Sequence, residues 1–192
     1  LEPPIDLGAY LPADALQLTG SGRLAGTVRL YGSADDIWAN PIDLQLGRAV
    51  GWMRTLNKDS ADALRSLNVN AVTDVTGFGL FGHVHEMAER SGVQILLESE
   101  RFPAIDGALD LARKGIRTSG DPRNRDCAGR HLTLKGVPET FVALAYDPQT
   151  SGGLLVSIPA LQGPVLEAEF AERRLFLRRI GSVEEGTGVI VE

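Results

Sequence analysis

Residues 73–83 read TDVTGFGLFGH, and their types and spacing suit them to more than one chemistry. Gly77, Gly79 and Gly82 form G-x-G-x-x-G, the glycine spacing of a dinucleotide-binding turn. Glu98 stands 21 residues beyond Gly77, where an acidic residue for a ribose hydroxyl is expected. In that chemistry a strand leads into a tight turn, glycines admit pyrophosphate close to the backbone, and a helix N-terminus faces the negative charge. The residues just ahead of the glycines, Thr73, Asp74 and Thr76, point elsewhere. A carboxylate beside a bare pyrophosphate repels it. Beside hydroxyls and free amides it suits Mg²⁺, a hard cation that takes one or two carboxylates and completes its shell with phosphate oxygens and water. A third reading makes Asp74 or Thr76 a helix cap and the glycines packing points. The local pattern leaves all three open.

A second segment, DPQTSGG at 147–153, carries comparable groups. Thr150 and Ser151 offer hydroxyls, and Gly152-Gly153 permits close backbone approach to a ligand. The alternative is a tight turn that packs the two halves of a domain together. Arg123 and Arg125 are phosphate-binding candidates if they are not simply solvated in the polar stretch RTSGDPRNRDCAGR (117–130). The glycine-rich GSGRLAGT (20–27) lacks the G-K-[ST] ending of a P-loop and reads as a turn or bent strand.

These groups need a scaffold. The chain has 192 residues, 43% hydrophobic and 23% charged, as a soluble globular protein of one substantial or two small domains would be. A net charge of −6 argues against a nucleic-acid-coating surface but leaves a nucleotide ligand open. No apolar run is long enough to span a membrane. The lone Cys127 rules out an intrachain disulfide and a cysteine-based zinc site, and it fits a cytoplasmic location. The start, LEPPIDLGAY, has no Met and reads as the interior of a longer protein.

Helical periodicity runs from Asp43 to Leu67 with a break near Asn57–Asp59. NVNAVTDV reads as a strand, and Leu80 to Arg90 as a helix capped by Gly92. VQILLE reads as a strand, and Ile105 to Lys114 as a helix closed by Gly115. Residues 117–130 read as a loop, 141–146 (FVALAY) as strand-like and LLVSI (154–158) as a buried strand. A helix is expected from Pro159 to about Arg173, interrupted at Gly163-Pro164. RLFLRRIGSV and GVIVE read as two closing strands. In residues 1–42, LPADALQLT and GTVRLYG hold only short strand-like pieces. The interleaving of strands and helices makes this a mixed α/β chain whose helices need one face of a sheet to bury against.

Taken together, TDVTGFGLFGH (73–83) and DPQTSGGLLV (147–156) resemble the signature segments of selenophosphate synthetases (selenide, water dikinases). So do the intervening GHVHEMAERSGV, LARKGI and the loop with Arg123-Asn124. The likeness is to the C-terminal domain, of the aminoimidazole-ribotide-synthetase-like type, and it implies an α+β fold with a mixed sheet covered by helices. It covers roughly 43–192, with 1–42 a poorly matched linker or edge-strand region. The resemblance implies an N-terminal ATP-binding domain ahead of this one, a homodimer, and the reaction ATP + selenide + water → selenophosphate + AMP + phosphate with Mg²⁺. It implies that Asp74 binds the metal, and that Thr73, Thr76 and the amides near Gly77 and Gly79 lie beside phosphate. Thr150, Ser151 and Gly152 would join them. The family's catalytic cysteine or selenocysteine falls in a segment absent from these residues, so no catalytic residue is assigned and the chain by itself is expected to be incomplete. Cys127 matches no family position. His83 matches a family histidine, for which a packing or helix-start role is expected. His85 and His131 read as surface residues.

Overall fold

The computed structural model describes residues 41–192. The strand-like pieces and the glycine-rich turn expected before residue 41 lie outside the described residues. The chain divides into two compact units, Leu1–Val50 and Gly51–Glu192. Helix α1 (Pro41–Arg54) runs through that boundary, and α2 (Lys58–Leu64) follows after a break at Thr55–Asn57.

Strand β1 (Ala71–Asp74) leads through a turn into α3 (Gly79–Ser91), followed by β2 (Gln94–Leu97). Then come α4 (Ala108–Arg113), α5 (Asp121–Ala128), β3 (Leu132–Leu134) and α6 (Glu139–Tyr146). Strand β4 (Leu154–Ser157), α7 (Gly163–Glu172), β5 (Gly181–Glu184) and β6 (Gly188–Val191) complete the order. A four-stranded mixed sheet runs β3-β6-β2-β5, with β2 parallel to β6 and antiparallel to β5, and β3 parallel to β6. Strands β1 and β4 form a separate antiparallel pair, in register from Ala71 opposite Ser157 to Asp74 opposite Leu154. This is the expected α+β architecture with a mixed sheet.

Two apolar clusters hold the larger unit together. One lies between the four-stranded sheet and α3, α5 and α6, and includes Phe81, Val84, Leu97, Val142, Tyr146, Val189 and Val191. The other joins Ala63 and Leu64 of α2 to Leu166 and Phe170 of α7. Strand β4 serves both: Leu155 packs on the first, Leu154 and Val156 on the second. Burial on both faces explains why LLVSI is an unbroken apolar run and not an alternating one.

Helix α3 shows clear 3.6-residue logic: Phe81, Val84 and Ala88 line its buried face. The Phe81 ring is fully buried, edge-on to Phe102 and Tyr146 at centroid distances of 5.9 and 4.9 Å. The helix ends at Gly92, left-handed at φ 63, whose N–H donates to the Ala88 and Glu89 carbonyls. A Cβ at Gly92 would meet nothing within 4 Å. Gly92→Ala is therefore expected to cost only the backbone penalty, about 1 kcal/mol, readable as a small fall in the urea midpoint.

Several sequence expectations are corrected. Residues 121–128, expected as loop, form α5, started by Pro122 in its first turn and held by side-chain pairs in place of an apolar face. Residues 141–146, expected as strand, lie within α6. With Val142, Ala143, Ala145 and Tyr146 all buried, the run has no amphipathic period to distinguish helix from strand. Gly163-Pro164 does not interrupt a helix but opens α7, after a 3₁₀ turn at Ala160–Gln162. Of RLFLRRIGSV only the end enters a ladder, as β5. Strand β3 had no sequence expectation.

Candidate functional site

The β1–β4 pair brings the two special segments together. Thr73 lies opposite Leu155 and Asp74 opposite Leu154. Beyond the ladder, Val75 N–H donates to the Gly153 carbonyl at 3.0 Å, Gly152 N–H to Val75 O at 3.0 Å, and Gln149 N–H to Thr76 O at 3.1 Å. The chains must touch for this pattern to form. A Cβ at Gly152 would lie 2.7 Å from Val75 O. Next to it Ser151 sits at φ 53, left-handed backbone that non-glycine residues rarely adopt. Thr150, Ser151 and Gly152 thus form a constrained corner beside the β1–α3 turn.

Asp74 is exposed at the end of β1, and its carboxylate takes no hydrogen bond or ion pair among the described residues. Its backbone carbonyl accepts the Thr73 hydroxyl at 3.2 Å. Thr76 is anchored through both its N–H and its carbonyl. Its N–H donates to His83 Nε2 at 3.0 Å, and its carbonyl accepts from both Gly79 and Gln149. His83 is buried; accepting at Nε2 places its ring proton on Nδ1. It braces the turn from the first turns of α3, the packing and helix-start role expected of it. Gly77 is exposed, with open space where a Cβ would stand. Gly79 differs: its N–H is committed to Thr76 O, and a Cβ there would lie 2.6 Å from Ala145 O. Its absent side chain lets the end of α6 close against the turn.

Helix α5 backs this arrangement. Asn124, 3% exposed, donates through Nδ2 to Gly77 O at 3.0 Å and to Tyr146 O at 2.8 Å. Arg125 donates through Nε to Asp121 Oδ1 at 2.7 Å and through Nη2 to Glu139 Oε1 at 2.6 Å, and its guanidinium lies 5.0 Å from the Tyr146 ring centroid. Arg125 is therefore a structural cation and not a solvated one, whereas Arg123 is exposed. Asp121 Oδ2 is buried without a partner. Sequence reasoning missed Asn124 as a site residue. The one available signal was Asp121-Pro122, a helix-start step that would have placed Asn124 on a helix instead of in a loop.

Asp147 opens the second segment. Thr118 Oγ1 donates to Oδ1 at 2.8 Å and Gln149 Nε2 to Oδ2 at 3.0 Å. Burial pushes the Asp147 carboxyl above its ordinary pKa. The two hydrogen bonds oppose that shift, and the Asp121 charge adds to it. The folded state thus holds this proton more tightly than the unfolded chain. Its contribution to stability is complete below the ordinary carboxylate range and disappears as pH rises through the raised value. Asp147→Asn, free of this titration, should gain on the wild type in urea midpoint between about pH 4 and pH 7. A gap that is constant or shrinks across that range would contradict this.

The dinucleotide reading of the glycines does not survive. That fingerprint requires the strands on either side of the turn helix to lie parallel in one sheet. Among the described residues β1 pairs only with β4, and β2 lies in the other sheet. Glu98 is engaged with Arg101 at 2.6 Å. Of the remaining histidines, His131 is exposed, as expected, and His85 is not fully so. His85 is partly buried and stacks on His131 with centroids 4.0 Å apart. Burial, then the neighbouring His131, hold the His85 imidazole below its ordinary pKa. Cys127 is exposed; with Phe78, Gly82, His85, Asn124 and Ala128 it lines a cavity of about 100 Å³. Among the described residues no group of three or more His, Cys, Asp or Glu is placed to hold a metal, and no helix is long and apolar enough to cross a membrane.

Comparison with known proteins bears on this geometry. The chain is 48% identical over 107 residues to selenide, water dikinase 2 of Peptoclostridium acidaminophilum, covering 56% of this chain and 31% of that protein. It is 38% identical over 184 residues to selenide, water dikinase of Nitratidesulfovibrio vulgaris (strain DP4), covering 93% of this chain and 50% of that one. The chain thus spans about a third to a half of the length of these curated relatives. The crystal structure of thiamine monophosphate kinase from Aquifex aeolicus shares the fold, with a TM-score of 0.51 at 22% identity, covering 88% of this chain and 44% of that one. The family model described as AIR synthase related protein, C-terminal domain, matches residues 14–192. This α+β chain, whose two signature segments meet across β1 and β4, therefore belongs to the family of AIR synthase related proteins, C-terminal domain.

Proposed function

We propose that the chain is the C-terminal part of a selenide, water dikinase, forming selenophosphate, AMP and phosphate from ATP, selenide and water. Its relatives of that name support the substrate class. The observation that carries the site is the joining of residues 73–79 to residues 147–153, with the Asp74 carboxylate exposed and, among the described residues, unpaired. In this reading Asp74 is a single ligand to Mg²⁺. One carboxylate suits Mg²⁺ only when phosphate oxygens, water or other carboxylates complete the shell. The metal would neutralise charge on the transferring phosphoryl group. The turn amide of Gly77 and the Thr150, Ser151 and Gly152 corner would orient phosphate oxygens. The remaining metal ligands, the nucleophile and most of the ATP site would come from the part of the longer protein that this chain does not span. A cytoplasmic homodimer is the assembly this reading implies.

The test is AMP formation from ATP and selenide. The 192-residue chain alone is expected to show none above background. A polypeptide that also carries the remaining half of its relatives' length is expected to turn over. Robust AMP formation by the 192 residues alone would overturn the incomplete-site reading. A complete polypeptide inactive toward selenide but active toward another phosphoryl acceptor would replace the substrate and retain the site.

A further inference from the structure

Asn124 is buried on α5 and uses one amide nitrogen to reach two carbonyls, Gly77 O at 3.0 Å and Tyr146 O at 2.8 Å. Both partners are acceptors, so the nitrogen, not the oxygen, must face them. One belongs to the turn after β1, and the other immediately precedes Asp147. Asn124 therefore ties the two segments together, as does the Gln149 N–H to Thr76 O bond.

The consequence follows from peptide planarity. In a trans peptide the C=O and the next N–H point in opposite directions. With Gly77 O drawn inward to Asn124, the Phe78 N–H is turned outward. With Thr76 O drawn inward by Gly79 and Gln149, the Gly77 N–H is turned outward as well. Neither N–H has an acceptor among the described residues.

We propose that Asn124 is a positioning residue: by holding the Gly77 carbonyl inward it aims the Phe78 N–H at a phosphate oxygen of the bound substrate. This rests on the reading of the turn as facing phosphate. Asn124 itself touches no substrate. A purely structural asparagine would stabilise the fold without changing the preference of the turn for an anion.

The test is a titration with magnesium pyrophosphate of a ¹⁵N-labelled polypeptide that carries this chain together with the remaining half of its relatives' length, read at the Gly77 and Phe78 amides. In the wild type both resonances should shift saturably, and hydrogen exchange at Phe78 should slow. In Asn124→Ala the apparent Kd should rise by about tenfold or more, the effect of misaiming one hydrogen bond to a charged group. Gly92→Ala, distant from the turn in sequence, serves as a control for general destabilisation and should leave Kd unchanged. If Asn124→Ala does not fold, Asn124→Ser, which retains one donor, should show a smaller rise in Kd. An unchanged Kd in a folded Asn124 variant would overturn the proposal and leave the phosphate-facing turn intact. An equal loss in Gly92→Ala would also overturn it, by showing the effect to be one of stability. Absence of any shift at Gly77 and Phe78 in the wild type would instead remove the phosphate-facing turn itself, and with it the role of Asn124.

Discussion

Asp74→Asn in a polypeptide that carries both this chain and the remaining half of its relatives' length should lower kcat/KM for AMP formation by about a hundredfold or more, with no change in the urea midpoint. The two parts of this expectation come from different features. Asp74 is exposed and its carboxylate takes no hydrogen bond or ion pair among the described residues, so removing its charge breaks nothing that holds the fold. The asparagine amide keeps the shape and one oxygen but loses the charge that attracts Mg²⁺. Metal neutralisation of phosphoryl charge is worth several kcal/mol in the transition state, and about 1.4 kcal/mol corresponds to a factor of ten. The required Mg²⁺ concentration should rise as well. Unchanged turnover would remove Asp74 from the metal site, and a lowered midpoint would show that it supports the fold.

Gly79→Ala should produce the largest loss of stability among single substitutions in the turn, about 3 kcal/mol or more. Two costs combine. The residue sits at φ 68, which strains any alanine. A Cβ would also lie 2.6 Å from Ala145 O and 2.9 Å from the carbonyl carbon and oxygen of Tyr146. These are backbone atoms at the end of α6, so relief requires moving the chain that leads into Asp147. Overpacking of this kind costs roughly 1–3 kcal/mol beyond the strain. For a domain of this size the sum corresponds to a fall in Tm of roughly 6–12 °C. Gly92→Ala is the internal comparison, having the same sign of φ and open space around it. If the two substitutions cost the same, the close approach of α6 to the turn is not the constraint described above.

How much of this was legible in the sequence depended on the kind of signal each element carries. Helix α3 was readable because one face is buried and the other solvated, and because Gly92 marks its end. The runs NAVTDV, VQILLE and LLVSI were readable as strands because they are short, rich in β-branched or apolar residues and bounded by turn formers. Helix α6 was misread because it is buried on nearly every side, so its residues show no period. Helix α5 was misread because pairing takes the place of an apolar face: Asp121 with Arg125, Arg125 with Glu139, and Asn124 with two carbonyls. The candidate site was legible in its parts. Asp74, the threonines and the glycines declare themselves by residue type, and the segments that hold them resemble one family.

The sequence by itself determined that residues 73–79 and 147–153 are chemically unusual and that the chain is an α+β member of a recognisable family. It could not determine which of their groups point toward a ligand. The spacing of Gly77, Gly79 and Gly82 suits a dinucleotide turn equally well, because spacing along the chain does not specify which sheet a strand joins. Tertiary structure decided that, by pairing β1 with β4 and placing β2 in another sheet. It also decided the direction of the turn amides, because their carbonyls are held by Asn124, Gly79 and Gln149. Hydrogen bonds between residues far apart in sequence fix those peptide planes, and no local pattern encodes them.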